Sequence, residues 1–299
     1  MPCFKPLPAY RCSDGSVVFS ELRRFDTVQT LSIPCGQCVG CRLERSRQWA
    51  MRCLHEASLY KQNCFITLTY ADEHLPSDLS LHYADFQKFM KRLRKRFKDK
   101  TIRFYMAGEY GENFGRPHFH ACIFNLDFSD KKLWKKTGSG CRIYRSEILE
   151  DLWPFGYSSI GDVNFQSAAY VARYIMKKVT GDAAEQHYSM VDINSGEISK
   201  RTPEFNKMSL KPGIGYEWYK KFKSDVYPHD YVVINGKKVK PPKFYDKKLK
   251  NDFPFEWDEV EFKRIVQAKD NFADNTDERL LVKETIAKAR LSMLKRELV

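Results

Sequence analysis

The chain has 299 residues, enough to bury a full core, and its 42% hydrophobic and 14% aromatic content argues against a disordered protein. Its 51 Lys and Arg exceed its 38 Asp and Glu, so the formal net charge is +13. This surplus favours a phosphate-rich partner, above all nucleic acid, over a merely solvated basic surface. No stretch reaches the roughly 18 apolar residues of a membrane span, and the N-terminus lacks the apolar run of a signal peptide.

Cysteines are concentrated near the N-terminus, where five of the nine lie in the first 41 residues. Without a secretory signal, they indicate a reducing compartment and not a disulfide framework. The Cys-x₂-Cys-x₂-Cys spacing that begins at Cys35 is typical of a zinc site whose fourth ligand is Cys3 or Cys12, although an iron–sulfur cluster or free thiols in a small core also fit. Structural zinc is the hypothesis that we favour. Its candidate ligands are Cys3, Cys35, Cys38 and Cys41.

Hydrophobic periodicity and turn residues predict alternating helices and strands after an irregular, metal-tied lobe at 1–41. The segments at 102–107 and 118–124 flank a turn that contains Gly and Asn, which is typical of a hairpin. The predicted elements are helix 42–61, strand 64–70, helix 82–98, strands 102–107 and 118–124, helix 145–152, strand 157–161, helix 165–179, and C-terminal helices 256–271 and 276–298, the last capped by Asn275. This order predicts an α+β domain over an antiparallel sheet.

Two histidines, His118 and His120, lie one residue apart in a predicted strand. Because alternate residues of a strand share a face, both imidazoles point at one spot, with Glu109 across the hairpin. A lone histidine in such a strand is more often a core residue. Two imidazoles and one carboxylate, however, fit a divalent cation with open positions for water and phosphate oxygens. Mg²⁺ prefers oxygen ligands and Mn²⁺ tolerates imidazole better, so either ion is a candidate.

Two tyrosines, Tyr170 and Tyr174, lie four residues apart in a predicted helix and therefore share a face. The structural alternative is an amphipathic helix with two half-buried rings. The functional hypothesis is a transesterification, in which a tyrosine oxygen attacks a phosphodiester and links one DNA end to the protein. Since the phenol has a pKa of about 10, it needs a cation that polarises the phosphate, and Lys177 or Lys178 can hold that phosphate.

The chain resembles the HUH endonucleases in three motifs that occur in the same order. His118–His120 is similar to their second motif, Phe65–Tyr70 to the first, and Tyr170–Lys177 to the third in its two-tyrosine form. Further segments resemble the replication initiators of gokushoviruses, small single-stranded-DNA phages of the microvirus group. These segments are Pro34–Arg42, Gly108–Gly111, Arg116–His120, Met208–Gly215 and Pro241–Tyr245. The resemblance covers most of the chain and is least clear in the C-terminal helices.

This resemblance implies an HUH endonuclease fold, in which helices flank a central antiparallel sheet related to the ferredoxin and RNA-recognition folds. It implies a metal held by His118, His120 and a third ligand, which varies among HUH proteins; we assign it to Glu109, with the nearby Glu112 as the alternative. It also implies nicking of the phage origin by Tyr170 or Tyr174, with a 5′-phosphotyrosine link and a free 3′-OH that primes synthesis. After one circuit the second tyrosine attacks the regenerated origin, and the displaced strand is closed into a circle.

The expected organisation has three parts: a Cys-rich lobe at 1–41, an HUH core at 42–185, and a basic, helical extension at 186–299. The expected partners are phage origin DNA, single-stranded or unwound, and the host helicase and replication machinery. A host helicase is expected because the chain lacks the G-x-x-x-x-G-K-[ST] motif of a P-loop motor. We expect no membrane association and a location in the cytoplasm of the bacterial host.

Two basic segments are candidates for DNA contact. One is the helix at 82–98, whose cations are equally compatible with a solvated face. The other is the lysine-rich run at 237–250, which combines charge with rings that can stack on unpaired bases. The candidate residues are Arg92, Arg94, Lys95, Arg96, Lys243, Phe244 and Tyr245.

Two other functions also fit the pattern. A tyrosine transposase or relaxase of the HUH superfamily would use the same chemistry on another DNA. A non-catalytic, zinc-containing protein that binds single-stranded DNA would use the sheet and the basic surface without cleavage. A covalent protein–DNA adduct separates the two classes, because only an enzyme forms it.

Overall fold

The computed structural model divides into two compact units. The terminal unit is formed by the described residues of 1–45 and 254–293, and the sheet unit by those of 46–253. The structure describes residues 3–20, 26–111, 114–138, 140–173, 178–179, 181–191 and 196–293. Within these residues no helix combines the length and the apolar character needed to cross a lipid bilayer.

Helices and strands both occur throughout the described residues. The strands are β1 (Leu7–Cys12), β2 (Val17–Val18), β3 (Thr27–Ile33), β4 (Asn63–Tyr70), β5 (Arg103–Tyr110), β6 (Pro117–Phe124), β7 (Lys132–Lys136), β8 (Arg142–Arg145), β9 (Gly156–Gly161), β10 (Ser189–Val191), β11 (Ile198–Lys200), β12 (Phe205–Met208), β13 (Val232–Ile234) and β14 (Lys237–Val239). The helices are α1 (Val39–Ala57), α2 (Tyr83–Arg96), α3 (Glu147–Leu152), α4 (Phe165–Arg173), α5 (Ala183–Tyr188), α6 (Tyr216–Val226), α7 (Lys243–Asp252), α8 (Pro254–Asp270) and α9 (Asp277–Ser292).

A seven-stranded antiparallel sheet lies at the centre of the sheet unit, in the order β12-β5-β6-β4-β9-β8-β7. Its middle strands are almost entirely buried, which suits their β-branched and aromatic residues. The register pairs His118 with Glu109 on one side and with Thr69 on the other. The predicted α+β domain, with a large antiparallel sheet flanked by helices, is confirmed.

Different helices cover the two faces of this sheet. On one face, Phe86 and Phe89 of α2 pack with α3 against the larger hydrophobic cluster. On the other, Val171 of α4 packs with Ala50 and Cys53 of α1 in a second cluster. Each buried phenylalanine contributes about 1.5–3 kcal/mol to the free energy of folding. We call these surfaces the α2 face and the α4 face.

A buried ion pair joins α1 to the sheet. Arg103 Nε donates to Glu56 Oε1 at 2.5 Å, and the backbone nitrogen of Gly215 donates to Glu56 Oε2 at 2.7 Å. Gly215 has a φ of 80°, and a Cβ there would lie 2.6 Å from the hydroxyl of Tyr245. This position therefore requires glycine for both its backbone conformation and its space. Removing one member of the ion pair would cost about 3–5 kcal/mol, because the other charge would stay buried.

The terminal unit contains an antiparallel sheet, in the order β2-β1-β3, in place of the irregular lobe predicted at 1–41. That prediction is wrong because the Pro, Cys and Gly content hid the pairing of β1 with β3, which is a long-range contact. The predicted C-terminal helices are present as α8 and α9. The cap of α9 is Thr276, whose side chain accepts a hydrogen bond from the backbone nitrogen of Arg279, and not the predicted Asn275.

Three strands of the large sheet were not predicted: β7, β8 and β12. All five residues of β7 are exposed, so the strand shows no alternation of apolar and polar residues. The helix predicted at 165–179 is described as far as Arg173, and residues 174–177 lie outside the described residues. The other predicted boundaries differ from the observed ones by a few residues, as helix ends commonly do.

Candidate metal centre and nucleophile

The structure brings three predicted metal ligands together on the α4 face. Glu109 lies near the end of β5, and His118 and His120 alternate along β6. One carboxylate oxygen, Glu109 Oε1, lies 2.7 Å from His118 Nε2 and 2.9 Å from His120 Nε2. The ligand atoms all lie within 4.8 Å of one another, so the group could hold a metal ion. Glu109 and His120 are buried, and His118 is partly exposed.

The other ring nitrogen of each imidazole, Nδ1, also has a hydrogen-bond partner, which orients the ring. His118 Nδ1 lies 3.0 Å from the carbonyl oxygen of Arg116, which can only accept, so Nδ1 donates and the lone pair is on Nε2. His120 Nδ1 lies 2.9 Å from the hydroxyl of Thr67, which can accept in the same way. Partners of this kind fix the ring orientation and the tautomer of histidines that bind metals.

The electrostatics of this group favour a cation. Burial alone would raise the pKa of Glu109, but the contacts with His118 and His120 outweigh it and lower the pKa to about 2. The carboxylate is therefore ionised at neutral pH. In the tautomers described above, two imidazole lone pairs and a carboxylate oxygen converge, an arrangement that requires protons or a metal ion between them. The residues thus fit a divalent cation chemically.

Tyr170 is the predicted nucleophile that lies beside this group. Its ring centroid is 5.3 Å from that of His120, edge to face, and 6.5 Å from that of Phe65. A reciprocal cap fixes the start of α4, since Ser167 N donates to Asn164 Oδ1 at 2.8 Å and Asn164 N donates to Ser167 Oγ at 2.9 Å. Tyr170 lies about one turn further along the helix. The cap therefore sets where the phenol meets the sheet.

The other predicted catalytic residues follow Tyr170 in the chain. Tyr174 and Lys177 lie outside the described residues. Lys178 is described just beyond α4, where its side chain is partly exposed. The roles of all three in the reaction stay predictions.

The cations predicted on α2 do not lie with the metal ligands. α2 packs on the α2 face, so the sheet separates its side chains from Glu109, His118 and His120. Arg92 is partly buried and its Nε donates to the carbonyl oxygen of Leu152 at 2.9 Å, which is a structural contact. Arg94, Lys95 and Arg96 are exposed. DNA contact by these cations remains a prediction, and it would involve the far side of the sheet.

The second predicted DNA-binding segment is part of the core. Tyr245 is completely buried, with its hydroxyl 2.8 Å from His55 Nδ1. The ring of Phe244 is partly buried under the guanidinium of Arg52, 3.8 Å from the ring centroid. The prediction that Tyr245 stacks on a base is therefore wrong, because its ring packs inside the protein. Lys243 is exposed at the start of α7.

The four cysteines predicted to bind zinc lie close together in the terminal unit. The sulfur atoms of Cys3, Cys35, Cys38 and Cys41 all lie within 4.8 Å of one another, so this group too could hold a metal ion. Cys12, the alternative fourth ligand, is not a member of the group. Cys3 Sγ lies 3.7 Å from Cys35 Sγ and 3.9 Å from Cys38 Sγ. The first turn of α1 supplies Cys41, which fixes its direction.

Backbone amides surround these sulfur atoms. Phe4 N donates to Cys38 Sγ at 3.4 Å, Cys35 N to Cys3 Sγ at 3.3 Å, and Cys38 N to Cys35 Sγ at 3.3 Å. Burial would raise the pKa of Cys38, but hydrogen bonds from the amides of Phe4 and Cys41 and from the thiols of Cys41 and Cys35 lower it to about 7. Burial and the neighbouring thiols raise the pKa of Cys41, because adjacent thiolates repel each other without a cation.

Sequence reasoning did not identify the residues that orient the histidines. Thr67 is paired with His120 only through the register of β4 on β6, although it lies inside the first motif. Arg116 precedes the histidines, and its guanidinium donates to the carbonyl oxygen of Tyr70 at 2.8 Å and contacts the carboxylate of Asp72. The only sequence signal was the motif itself, since the geometry depends on strand pairing.

Several known proteins are similar to this chain in sequence. The family model described as replication-associated protein ORF2/G2P matches residues 63–179, which include the metal ligands and both tyrosines. The chain is 33% identical over 279 residues to replication-associated protein VP4 of Bdellovibrio phage phiMH2K, covering 90% of this chain and 84% of that protein. It is 31% identical over 296 residues to replication-associated protein ORF2 of Spiroplasma virus 4, covering 90% of this chain and 87% of that one.

A third relative is replication-associated protein ORF4 of Chlamydia phage 1, which is 31% identical over 222 residues, with 71% of this chain and 52% of that protein covered. No solved structure matches the chain. The alignments with the first two relatives extend over nearly the whole chain and agree with the motif-based resemblance to gokushovirus initiators. The chain belongs to the family of replication-associated proteins of microvirus-like phages.

Proposed function

We propose that this protein starts rolling-circle replication by nicking the phage origin with a tyrosine, and that its sheet unit has the HUH endonuclease fold. The observation that best supports the proposal is the position of Tyr170 beside His120, on the face where Glu109 and His118 converge. A nucleophile next to a group that can hold a cation is what phosphodiester transesterification requires. The membership in a family of replication-associated proteins supports DNA as the substrate.

In the proposed step, Tyr170 Oη attacks the scissile phosphorus. A bond forms between this oxygen and the phosphorus, the bond from the phosphorus to the 3′-oxygen breaks, and the 5′ end stays linked to the protein. The phenol loses a proton and the departing 3′-oxygen gains one, so the DNA keeps a free 3′-OH. A divalent ion held by Glu109, His118 and His120 would withdraw electron density from a phosphate oxygen. The hydroxyl of Thr67 holds His120 in place through its Nδ1 atom, and the carbonyl oxygen of Arg116 holds His118 in the same way.

We assign the second transfer to the tyrosine that did not react first. The two phenols lie four residues apart in the sequence, so after one circuit the free one can attack the regenerated origin. This second attack links the new 5′ end to the second tyrosine and frees the 3′-OH of the displaced strand. That 3′-OH then attacks the first phosphotyrosine, which closes the strand into a circle and releases the first tyrosine. The energy of the phosphodiester is kept in the phosphotyrosine link, so closure needs no nucleotide cofactor.

The test is a covalent-adduct assay. The protein is incubated with Mn²⁺ and single-stranded DNA that tiles the phage origin region, and the products are separated on a denaturing gel. We expect a DNA-linked protein band, and we expect the double variant Tyr170→Phe, Tyr174→Phe to lose it. Tyr144→Phe is the matched control, because its ring packs with the cluster on the α2 face.

The outcomes of this assay test the catalytic proposal, the choice of nucleophiles and the DNA substrate separately. If no origin-derived sequence gives an adduct, the catalytic proposal fails and a non-catalytic DNA-binding protein is favoured. If the adduct persists in the double variant, the nucleophiles are wrongly assigned. If adducts form equally on transposon ends or plasmid transfer origins, the transposase or relaxase alternative is favoured.

We further propose that the four thiols of the terminal unit hold structural zinc. Tetrahedral zinc with Zn–S bonds of about 2.3 Å places its sulfur ligands about 3.8 Å apart. The observed separations of 3.7 and 3.9 Å from Cys3 Sγ support such a site. Equimolar zinc by elemental analysis is the expected result. A visible absorption band from an iron–sulfur cluster, or stably folded protein without metal, would contradict it.

We also propose that a host helicase unwinds the duplex behind the nick, because the sequence has no P-loop motor motif. Nicked origin plasmid, this protein and purified host helicase should together give unwound product. Unwinding by the protein alone would show that this assignment is wrong.

A further inference from the structure

The hairpin of β7 and β8 forms an exposed edge of the large sheet. Leu133 is 54% and Trp134 is 55% exposed, although both side chains are large and apolar. All five tryptophans lie in described residues, and Trp134 alone is exposed. The metal centre and the nucleophile do not use this hairpin. An exposed aromatic ring can stack on a nucleobase while neighbouring lysines bind phosphates, so this surface suits a nucleic acid.

The register shows which hairpin residues share a face with the metal ligands. Lys135 pairs with Ile143, and Ile143 lines a pocket of about 200 Å³ together with Phe65 and Ser167, which belong to the α4 face. Lys135 therefore lies on the α4 face. Leu133 pairs with Tyr144, whose ring packs with the cluster on the α2 face. Leu133 and Lys135, which flank Trp134, thus lie on opposite faces of the sheet.

Trp134 is the extra residue of a β-bulge. The pairing passes from Leu133 opposite Tyr144 directly to Lys135 opposite Ile143, which leaves Trp134 without a paired residue. Bulges re-aim a side chain, and here the indole lies 4.6 Å from Lys135 Nζ. The guanidinium carbon of Arg145 lies 6.0 Å from the same ring. The indole is therefore exposed and flanked by two cations.

An exposed tyrosine lies on a strand between this hairpin and the candidate metal centre. Tyr157 of β9 pairs with Thr69, which pairs in turn with His118, so all three side chains lie in one row on the α4 face. Tyr157 is 66% exposed. Four strand spacings separate β6 from β7, a distance of about 19 Å across the sheet. We call Tyr157, Trp134 and Lys135 the outer track.

The charges around the outer track favour an anionic ligand. Lys132 pairs with Glu147 at 3.1 Å and Arg145 with Glu150 at 2.8 Å, and both ion pairs are at the surface. Exposed pairs contribute little to stability, so a polyanion can displace them. Within the part of the chain that the structure describes, Lys135 of the outer track forms no ion pair, and its Nζ lies over the ring of Trp134. The outer track thus offers positive charge that no described carboxylate neutralises.

We propose that the outer track binds the unpaired DNA strand that leads away from the scissile phosphate. Trp134 stacks on a base, Lys135 contacts a phosphate, and Tyr157 supports the strand between the hairpin and His118. This inference rests on the proposed function for the identity of the ligand. It adds a binding surface that the nicking chemistry alone does not require.

The test measures binding without cleavage. A fluorescein-labelled oligothymidylate of about 20 nucleotides is titrated with the protein as purified, in buffer without added Mg²⁺ or Mn²⁺, and affinity is measured by fluorescence anisotropy. We expect Trp134→Ala to weaken binding roughly 5- to 100-fold, and Trp134→Phe to recover part of the loss. We expect Lys135→Ala to lower the slope of log affinity against log salt by about 0.7. Leu133→Ala and Lys136→Ala are the matched controls, because these neighbours face the other side.

The outcomes separate this inference from the proposed nicking. If Trp134→Ala binds like the wild type, or no more weakly than Leu133→Ala, the outer track is not the binding surface, whether or not adducts form. If the outer-track variants lose affinity while no origin gives an adduct, binding by the outer track is supported and the nicking proposal is contradicted. Equal loss of affinity for a duplex of the same length would overturn the specificity for an unpaired strand. Quenching of Trp134 emission by the oligonucleotide, absent in Trp134→Phe, is the expected confirmation of stacking.

Discussion

The protein contains two groups of candidate metal ligands that differ in chemistry and in surroundings. The thiol group has four like donors, and backbone amides donate to three of its sulfur atoms. The histidine group has two imidazoles and one carboxylate, with a tyrosine ring beside it. Four thiolates complete the coordination of zinc, whereas three mixed ligands leave positions for a substrate. Donor number, donor type and the neighbouring groups together distinguish the proposed structural site from the proposed catalytic one.

The largest expected effect concerns the thiol group. Cys3→Ser should abolish zinc binding and destabilise the terminal unit, because the binding free energy of a structural zinc, on the order of 10 kcal/mol, is also folding free energy. Cys12→Ser, a change of a nearby cysteine outside the group, should keep the zinc. Zinc content and thermal unfolding measure both effects. If Cys12→Ser loses zinc and Cys3→Ser does not, the fourth ligand is wrongly assigned.

The next effect concerns the histidine group. His120→Ala and Glu109→Gln should slow adduct formation about 10³-fold, because they remove ligands of a cation that stabilises the transition state by several kcal/mol. Zinc content should not change. The initial rate of adduct formation measures the loss, and the exposed His74→Ala is the control. A normal rate in Glu109→Gln would show that another residue is the third ligand.

The smallest effect concerns the orientation of one imidazole. Thr67→Val removes the hydroxyl that contacts His120 Nδ1 and should weaken Mn²⁺ binding about 10- to 100-fold. Thr67→Ser keeps the hydroxyl and should restore most of the affinity. Electron paramagnetic resonance of free Mn²⁺ measures binding directly. Equal affinities in Val and Ser variants would mean that Thr67 only packs against the ring.

Local patterns were sufficient to predict the histidine group. His118 and His120 share a face because strands alternate, and Glu109 lies opposite His118 because a hairpin fixes its own register. The choice between Cys3 and Cys12 was not predictable, because it depends on how β1 pairs with β3. Short-range rules therefore predicted that Glu109, His118 and His120 lie together, whereas they predicted the thiol group only in part. Glu112, the alternative third ligand, lies outside the described residues.

Long-range packing explains the remaining differences. Tyr245 belongs to the core because His55, 190 residues away, contacts its hydroxyl. The α2 cations lie opposite the metal centre because the apolar side of α2 packs on the other face of the sheet. The hairpin of β7 and β8 was missed because an exposed edge strand lacks the apolar alternation on which strand prediction depends.

The two ligand groups also differ in the length of chain that each one closes. Glu109 and His120 are separated by eleven positions in one hairpin, whereas Cys3 and Cys35 are separated by 32. Paired strands lie inside both loops, since β5 pairs with β6 and Leu7 of β1 pairs with Ile33 of β3. In the unfolded chain, however, a metal at the thiol group would close a much longer loop, which by analogy with a disulfide is worth about 3–4 kcal/mol. Insertions between β2 and β3 should therefore be tolerated with little cost in stability, while insertions within β5 or β6 should shift the candidate ligands out of register.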